Sequence, residues 1–261
     1  MLKKIKHGAI PTWYNKNCEV EALFNDDSEN TKTTNRTLDK FLKKYKVKSI
    51  LDLTCGTGSQ VFYLLKRGYQ VTGADISTGM LKIAKRKLVV QNIKVKLLHG
   101  DMRTIKVGKF DAALTIFNSI GHLTKTDFEK TLSNIHSNLN DDGIYIFDIL
   151  NLNYVTSRDN IIKMSLERMK TIENKTTREI QHSIIDDQGI LISYTTFYTQ
   201  TNNEKMKTSK TTITLQLYTS TELKEMLSNN GFNVLHQSGT DGAKFSDTKT
   251  ERIVTIAQKV K

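Results

Sequence analysis

The chain has 261 residues, of which 38% are hydrophobic and 25% are charged. This length and composition suit one large α/β domain, or one domain with an insertion, and they exclude a generally disordered chain. Much of the net charge of +12 at pH 7 lies between Lys82 and Lys109. This segment contains nine Lys or Arg residues and a single acid, Asp101. Such an excess is typical of a solvated face, and it also leaves nucleic acid open as a partner.

The sequence carries no signature of export, of membrane insertion or of a metal site. Two cysteines, Cys18 and Cys55, are too few for a disulfide framework, and no Cys or His cluster has zinc spacing. The basic start is followed by His7 to Pro11 rather than by the apolar block of a signal peptide. No apolar run approaches the roughly 18 residues that cross a bilayer. We therefore expect a cytoplasmic protein with reduced thiols, no bound metal and no membrane partner.

The first half of the chain alternates predicted strands with predicted helices. Five short apolar segments are predicted strands, at residues 48–53, 69–75, 95–99, 110–117 and 144–150. Ser77 can cap the helix after the second strand. Thr126 with Glu129 forms a capping box for the helix before the fifth strand, and residues 141–143 end that helix. Because these strands are apolar nearly throughout, they indicate a parallel sheet that is covered on both faces.

The pattern changes after residue 157. Four segments alternate with period two, at residues 165–173, 177–186, 189–198 and 207–217, and turn clusters at 186–189 and 201–204 separate them. These features predict antiparallel hairpins over residues 158–217, here named the cap. The α/β pattern resumes with Thr219 and Glu222 beginning a helix, Gly231 ending it, and strands at 232–236 and 252–257. Residues 1–157 and 218–261 are therefore predicted to form one domain, with the cap inserted into it.

A glycine turn and two acids suggest a nucleoside site. The strand ending in Asp52 runs through Gly56-Thr57-Gly58 into a helix, so the turn presents free N–H groups and lets a ligand approach the backbone. Asp75 ends the next strand, where it can accept hydrogen bonds from both ribose hydroxyls. Asp101 follows the third strand and suits an adenine amino group. Either acid alone could instead cap a helix or be solvated, but their joint placement favours the nucleoside. Val61 stands where a dinucleotide motif requires its third glycine, which disfavours NAD.

These segments resemble the consecutive motifs of class I S-adenosylmethionine-dependent methyltransferases. The matching segments are 50–58, 71–77 with Met80, Leu81 and Ala84, and 100–103. Segments 117–121, 148–151 and 217–219, together with the inserted hairpins, resemble a bacterial small-molecule subgroup related to glycine and sugar amino-group N-methyltransferases. The resemblance implies a Rossmann-like, doubly wound, mostly parallel seven-stranded sheet with an inserted antiparallel β subdomain. It also implies S-adenosylmethionine as cofactor and S-adenosylhomocysteine as product.

The resemblance further implies a set of cofactor-binding residues. It implies that Asp75 holds the ribose and that Asp101 and Met102 contact the adenine. Phe117 with Asn118 would close the site near the reactive methyl group. The complete implied set is Asp52, Gly56, Thr57, Gly58, Asp75, Ile76, Met80, Asp101, Met102, Phe117 and Asn118.

Methyl transfer from a sulfonium is an in-line displacement, so the protein chiefly aligns the acceptor and excludes water. A nearby base could help the acceptor lose its proton, and Tyr14 and His122 are candidates by position only. His122 could equally be a polar residue that leads a helix. No catalytic residue is assigned beyond these two.

The acceptor site is expected above the carboxyl ends of the fourth and fifth strands. The amino-terminal segment with Trp13 and the cap with Tyr194, Phe197 and Tyr198 would cover it, although these aromatics could also serve only for packing. A small-molecule acceptor is favoured because the cap is nearly balanced in charge, with nine basic and seven acidic residues. The isoelectric point of about 9.5 supports a nucleic-acid methyltransferase as the alternative, and a non-catalytic adenosyl-binding module is a further one. The sequence leaves the oligomeric state open.

Overall fold

The computed structural model describes residues 7–8, 12–157, 163–202 and 204–260. The basic amino-terminal hexapeptide, the first residues of the predicted cap and one residue of the predicted turn at 201–204 lie outside these ranges. Within them, no helix combines the length and the apolar character that crossing a membrane requires.

A seven-stranded sheet forms the centre of the fold. Its strands in chain order are β1 (Ser49–Asp52), β2 (Gln70–Asp75), β3 (Lys96–His99), β4 (Phe110–Thr115), β5 (Leu139–Leu150), β10 (Phe232–Ser238) and β11 (Arg252–Lys259). Their spatial order is β10-β11-β5-β4-β1-β2-β3. Strand β11 is antiparallel to both of its neighbours, and the pairings from β5 to β3 are parallel. The predicted doubly wound, mostly parallel seven-stranded sheet is confirmed.

The helices follow the predicted alternation. They are α1 (Trp13–Lys16), α2 (Cys18–Asn25), α3 (Glu29–Lys44), α4 (Ser59–Leu65), α5 (Thr78–Gln91), α6 (Lys125–Asn138), α7 (Leu152–Thr156) and α8 (Ser220–Asn229), with a 3₁₀ turn at Ser119–His122. The predicted N-cap hydrogen bonds of helices α5 and α8 form. The Ser77 hydroxyl accepts from the Met80 N–H and the Thr219 hydroxyl accepts from the Glu222 N–H, both at 3.2 Å.

Two predicted boundaries around α6 are wrong. The N-cap residue of α6 is Thr124 rather than Thr126. The Thr124 backbone is extended, and its hydroxyl accepts from the Asp127 N–H at 3.1 Å. The sequence carries two overlapping capping patterns, and the earlier one begins the helix. Residues 141–143 do not end the helix, because α6 ends at Asn138 and β5 begins at the next residue. They lie within β5, near the register shift in its pairing with β4.

Apolar side chains pack on both faces of the central sheet. On one face a core forms around Phe128, Leu132 and Tyr145, and on the other around Leu42 and Ile146. Adjacent residues of β5 enter opposite cores because successive side chains of a strand point to opposite faces. Burial on both faces explains the continuous apolar strands in the sequence.

The cap is a four-stranded antiparallel sheet. Its strands are β6 (Lys163–Ile172), β7 (Lys175–Ile185), β8 (Ile190–Thr201) and β9 (Lys207–Gln216), in that spatial order. The predicted inserted antiparallel subdomain is therefore present. Its buried face is unusual, because a half-buried sheet normally turns apolar side chains inward. Here most of the buried side chains of the two central strands are polar, namely Thr177, Glu179, Ser183, Ser193 and Thr195.

Candidate active site

A cavity of about 460 Å³ lies between the central sheet and the cap. Its floor consists of the segments that follow β1, β2, β3 and β4, and its roof consists of the cap and of helices α1 and α2. Ligands of open α/β sheets bind at the carboxyl ends of the strands. The volume is in the range of small-ligand sites.

The glycine turn after β1 brings backbone to the cavity wall. Gly56 and Gly58 have φ values of +52° and +91°, in the left-handed region that disfavours other residues. A Cβ atom on Gly58 would lie 2.5 Å from the ring of Phe62, so a side chain cannot be accommodated there. Gly56 and Thr57 line the cavity, which leaves their backbone accessible to a ligand.

Asp75 ends β2 and faces the cavity. Its Oδ2 accepts from the Gly56 N–H and its Oδ1 from the Ser77 N–H, both at 2.8 Å. Burial raises the pKa of Asp75 above its usual range. Each carboxylate oxygen can accept a further hydrogen bond. Asp75 thus holds the glycine turn and still has acceptor capacity toward the cavity.

Asp101 lies on the same floor, after β3. Arg103 donates to it from Nε, at 3.0 Å to both oxygens, and from Nη2 at 2.6 Å, and donates to Asp127 at 2.9 Å. Burial would raise the pKa of Asp101, but the hydrogen bonds and charge of Arg103 outweigh burial and hold the pKa below its usual range. Asp101 is therefore an ionised acceptor in a fixed orientation.

Most of the predicted cofactor residues line this one cavity. They are Gly56, Thr57, Asp75, Ile76, Met80, Asp101, Met102, Phe117 and Asn118. Asp52 and Gly58 do not line it. Asp52 is buried beneath the turn, where its Oδ1 accepts from the Thr54 N–H at 3.2 Å and its Oδ2 has no hydrogen-bond partner within the described ranges. Burial raises the pKa of Asp52 to about 7. Gly58 instead packs against Phe62.

The segment after β4 is held in a strained conformation. Phe117 and Asn118 have φ values of +62° and +60°, which are uncommon for residues with a side chain. Asn118 donates its N–H to Asp148 at 3.2 Å and accepts from the Leu150 N–H at 2.9 Å. Arg252 pairs with the fully buried Asp148 at 3.0 Å and lies over the Phe117 ring. The ion pair therefore supports the cavity wall.

The two candidate proton-handling residues meet inside the cavity. The Tyr14 hydroxyl lies 3.0 Å from Nε2 of His122, and the two rings are nearly perpendicular. Burial lowers the pKa of His122 to about 4 and raises that of Tyr14 well above its usual range. Both groups are therefore neutral near pH 7. His122 Nδ1 is buried and has no hydrogen-bond partner in the described part of the chain.

Helices α1 and α2, residues 13–25, form a lid across the cavity. Asn15 Oδ1 accepts from the Ser77 hydroxyl at 2.8 Å and from the Gly79 N–H at 3.2 Å. The Trp13 ring stacks on Phe197 of the cap, with 5.7 Å between ring centroids. The lid thereby contacts both the floor and the cap.

Of the three cap aromatics expected to cover the acceptor, only Phe197 lines the cavity. The expectation for Tyr194 and Tyr198 is wrong. Side chains alternate between the two faces of a strand, so even-numbered residues of β8 point away from the face that carries Phe197.

The roof contains charged residues that sequence reasoning did not identify. Glu21 of the lid and Arg168 and Glu179 of the cap all line the cavity. Arg168 and Glu179 are direct partners in the β6–β7 register, and their side chains pair at 2.5 Å. The sequence signal that could have identified this pair was the presence of opposite charges at inward-facing positions of a predicted hairpin.

Part of the basic excess of residues 82–109 is used in ion pairs. Arg86 pairs with Glu19 of the lid at 3.1 Å, and Lys87 pairs with Asp26. Arg103 serves the floor of the cavity as described. Across the described ranges, no three His, Cys, Asp or Glu side chains are grouped so that they could hold a metal ion.

Comparison with known proteins agrees with this architecture. Residues 50–143 match the family described as "Methyltransferase domain". The putative methyltransferase YqeM of Bacillus subtilis (strain 168) is 31% identical over 219 residues, which cover 81% of this chain and 84% of YqeM. The chain belongs to the class I S-adenosylmethionine-dependent methyltransferases.

Solved structures share the fold at low sequence identity. An S-adenosylmethionine-dependent methyltransferase from Clostridium acetobutylicum ATCC 824 superposes with a TM-score of 0.78 at 20% identity, covering 95% of this chain and 99% of that one. CalS10, an amino pentose methyltransferase from Micromonospora echinaspora solved with S-adenosylmethionine bound, has a TM-score of 0.72 at 16% identity, covering 93% and 97%. The inserted cap is thus included in fold matches that span nearly the whole chain.

Proposed function

We propose that the protein transfers a methyl group from S-adenosylmethionine to a nitrogen or oxygen atom of a small-molecule acceptor. The observation that carries the proposal is one cavity with two different ends. Asp75 and Asp101 lie on its floor, and at the other end Tyr14 of the lid contacts His122.

The residues of the floor fit an adenosyl group. Asp75 retains acceptor capacity for two ribose hydroxyls, and Asp101 is ionised and can accept from an amino group. Ile76 and Met102 supply apolar contact, and Gly56 keeps side-chain bulk out of the space above the turn. An adenosyl group needs these features together, so we assign the floor to the cofactor.

When bound, S-adenosylmethionine supplies a methyl group on a positively charged sulfur, so the acceptor atom needs alignment and the loss of one proton. Neutral Tyr14 and His122 suit this task. With Tyr14 donating to His122 Nε2, the phenol oxygen can accept a hydrogen bond from the acceptor's N–H or O–H. That bond would point the acceptor's lone pair toward the floor, and the imidazole would receive the proton through Tyr14.

Two further properties support a small acceptor. The lid and the cap lie over the cavity, which limits the access of water to the reacting atoms. The volume of about 460 Å³ suits small ligands rather than a long polymer segment. An amino pentose methyltransferase of the same fold, CalS10, is consistent with that class of acceptor.

Calorimetry with S-adenosylmethionine and S-adenosylhomocysteine tests the floor. We expect low-micromolar binding, on the order of −8 kcal/mol. Asp75→Ala should weaken it at least tenfold, because the ribose hydroxyls lose their acceptor and the glycine turn loses its support. Asp27→Ala, an exposed position just after the lid, is the matched control. No heat with folded wild type, or unchanged affinity in Asp75→Ala, would contradict the proposal.

A labelled methyl donor tests the acceptor class. Small amines, sugars, carboxylates and RNA are each offered to the wild-type protein, and incorporation of label is counted. We expect label in a small molecule. Incorporation into RNA alone would overturn the small-molecule assignment while leaving the cofactor site intact.

A further inference from the structure

The roof of the cavity carries polar side chains among its apolar ones, where a buried sheet face would ordinarily be apolar throughout. Gln181 Nε2 donates to the Ser183 hydroxyl at 3.0 Å, and Ser183 and Ser193 hydroxyls lie 2.8 Å apart. The Thr195 hydroxyl donates to Gln181 Oε1 at 3.4 Å. Of this network, Gln181, Ser193 and Thr195 line the cavity. Hydroxyl and amide groups in this arrangement can exchange hydrogen bonds with hydroxyl groups of a ligand.

Arg168, a cation in the roof of the cavity, is already paired within the protein. Arg168 Nε donates to Glu179 at 2.5 Å, and its Nη1 donates to Asn25 Oδ1 at 3.2 Å. Its guanidinium lies over the Phe24 ring, 4.4 Å from the centroid. The charge of Arg168 is therefore balanced by the nearly fully buried Glu179.

Glu21 is different, because no cation in the described part of the chain lies within ion-pair distance of its carboxylate. It projects from α2 into the cavity wall, and its Oε1 accepts from Asn25 Nδ2 at 2.5 Å. No ion pair to Glu21 forms within the described ranges. Burial raises the pKa of Glu21 to about 7; the charge of Arg168 and the hydrogen bond from Asn25 oppose this shift, and the charges of Glu179 and Asp26 add to it. A half-buried carboxylate with no cation within ion-pair distance is unfavourable, so a cation brought by a ligand would be bound favourably.

The position of Glu21 relates it to the acceptor. Burial raises the pKa of Tyr14, and the charges of Glu21 and of Asp75 add to this shift, so both carboxylates lie within electrostatic reach of the Tyr14–His122 pair. Of these two acids, Asp75 lies on the floor, where the cofactor is assigned, and Glu21 belongs to the lid together with Tyr14. A cation held by Glu21 would therefore be next to the proton-handling pair and beneath the polar face of the cap.

We propose that the acceptor is a hydroxyl-bearing aliphatic amine, whose ammonium group binds to Glu21 and whose hydroxyl groups bind to Gln181, Ser193 and Thr195. The bound ammonium loses one proton, through Tyr14 to His122, and the lone pair so freed attacks the methyl group as its bond to sulfur breaks. This inference rests on the proposed function and narrows its acceptor to an amine. The positive sulfur of the cofactor is the other cation that could neutralise Glu21, and the experiment separates the two.

The test compares wild type with Glu21→Gln, which removes the charge and keeps the shape. Glu19→Gln is the matched control, because Glu19 lies on the same helix but is exposed and pairs with Arg86 outside the cavity. Each protein is first saturated with S-adenosylhomocysteine, whose sulfur is neutral. Calorimetric titration then uses 2-amino-2-deoxyglucose and 3-amino-3-deoxyglucose, each against its N-acetyl derivative, which carries no charge.

We expect wild type and Glu19→Gln to bind at least one amine tenfold or more tightly than its N-acetyl derivative. Glu21→Gln should lose this preference while its affinity for S-adenosylhomocysteine stays within twofold of wild type. Binding of neither amine, equal binding of amine and derivative, or a preference that persists in Glu21→Gln would overturn the inference.

A second measurement tests whether the positively charged sulfur of S-adenosylmethionine is the cation that binds to Glu21. The ratio of S-adenosylmethionine affinity to S-adenosylhomocysteine affinity should be the same in wild type and Glu21→Gln. A selective loss of S-adenosylmethionine binding would assign Glu21 to the cofactor and overturn its role toward the acceptor. Loss of both cofactor affinities in Glu21→Gln would show a structural role and also overturn it. Failure of the proposed function is distinguishable, because wild type itself would then bind neither cofactor form.

Discussion

The floor and the roof of the cavity are built in different ways. The floor consists of short segments at the ends of consecutive strands, and much of what it offers is backbone, as at Gly56 and Thr57. The roof consists of side chains from the lid and from the cap, which are more than a hundred residues apart in the chain. Glu21 and Arg168 are an example. The floor is therefore encoded locally, and the roof exists only in the folded protein.

This difference separates the two substrates of the proposed reaction. The floor presents features common to any adenosyl ligand, whereas the roof presents an individual pattern of charges and hydroxyl groups. Changes in the floor should therefore alter cofactor affinity, as expected for Asp75→Ala. Changes in the roof should alter the transfer step or acceptor choice, as expected for Glu21→Gln.

The largest effect is expected at the pair beneath the roof. Replacing His122 by Gln or Tyr14 by Phe should lower the transfer rate about a hundredfold, because a positioned proton acceptor contributes on this scale. S-adenosylmethionine affinity should stay within twofold. Rates and affinities are measured with the acceptor found by label transfer, and His136→Gln, a histidine on α6 that is hydrogen-bonded to Val260, is the control.

The double variant sharpens this comparison. If Tyr14 and His122 act as one unit, their combined replacement should slow transfer no more than either single change. If the loss of transfer rate in the double variant equals the product of the two single losses, Tyr14 and His122 have independent roles. Lost cofactor affinity in the single variants would remove the distinction between roof and floor at this pair.

An intermediate effect is expected where the lid meets the floor. A Cβ atom on Gly79 would lie 2.6 Å from the Asn15 carbonyl oxygen, so Gly79→Ala should displace the lid. We expect about tenfold weaker cofactor binding, roughly 1.4 kcal/mol. Alanine is the better helix former, so the free energy of unfolding should not fall by a comparable amount. Lys82→Ala, at an exposed position of the same helix, is the control in calorimetry, and equal affinities in all three proteins would refute a lid contribution.

The smallest effect concerns stability rather than binding. Burial raises the pKa of Asp52 from 3.8 to about 7 in the folded protein. Between these values the folded state holds a proton that the unfolded state has released, so this site loses stability as the pH rises toward 7. Asp52→Asn should therefore gain about 2 kcal/mol relative to wild type between pH 5 and pH 8. Urea unfolding at both values measures this difference.

Other groups with shifted pKa values are shared by both proteins, and Glu21 and His122 are two of them. Glu21, with its pKa raised to about 7, has the same sign as Asp52. His122, with its pKa lowered to about 4, opposes them, since acid below pH 6.5 protonates the unfolded state first. Subtracting the wild-type values removes both contributions. A variant that follows the wild-type pH dependence would show that Asp52 is ionised normally in the folded state.

The local sequence was sufficient to predict those functional residues that directly follow a strand. Asp75 and Asp101 come at the ends of β2 and β3, so the order of strands alone brings them to one edge of the sheet. The same reasoning also assigns Asp52 and Gly58 to the cofactor, but these two residues do not line the cavity, because a motif marks the whole turn and does not separate residues that face a ligand from residues that shape the turn. Asp52 binds its own loop and Gly58 packs on Phe62.

The roof was predicted less well for a physical reason. The positions of its side chains depend on how the lid and the cap pack, and neither α1 nor α2 was predicted. Strand alternation would have shown that Phe197 cannot share a face with Tyr194 and Tyr198. The pairing of Arg168 with Glu179 required the hairpin register, which turn residues indicate but the sequence pattern placed only approximately.

The lid is distant in sequence from several of the residues that it contacts. His7, just before the lid, hydrogen-bonds Thr214 at 2.9 Å across 207 residues of sequence, and Lys170 donates to the Leu23 carbonyl at 2.6 Å. Closing so long a loop is entropically costly, and it requires that the cap strands have already formed. We expect the first helices to dock last during folding. For the same reason they should be the segment that detaches at least cost in the mature protein, which gives the cofactor a route of exchange that leaves the sheet intact.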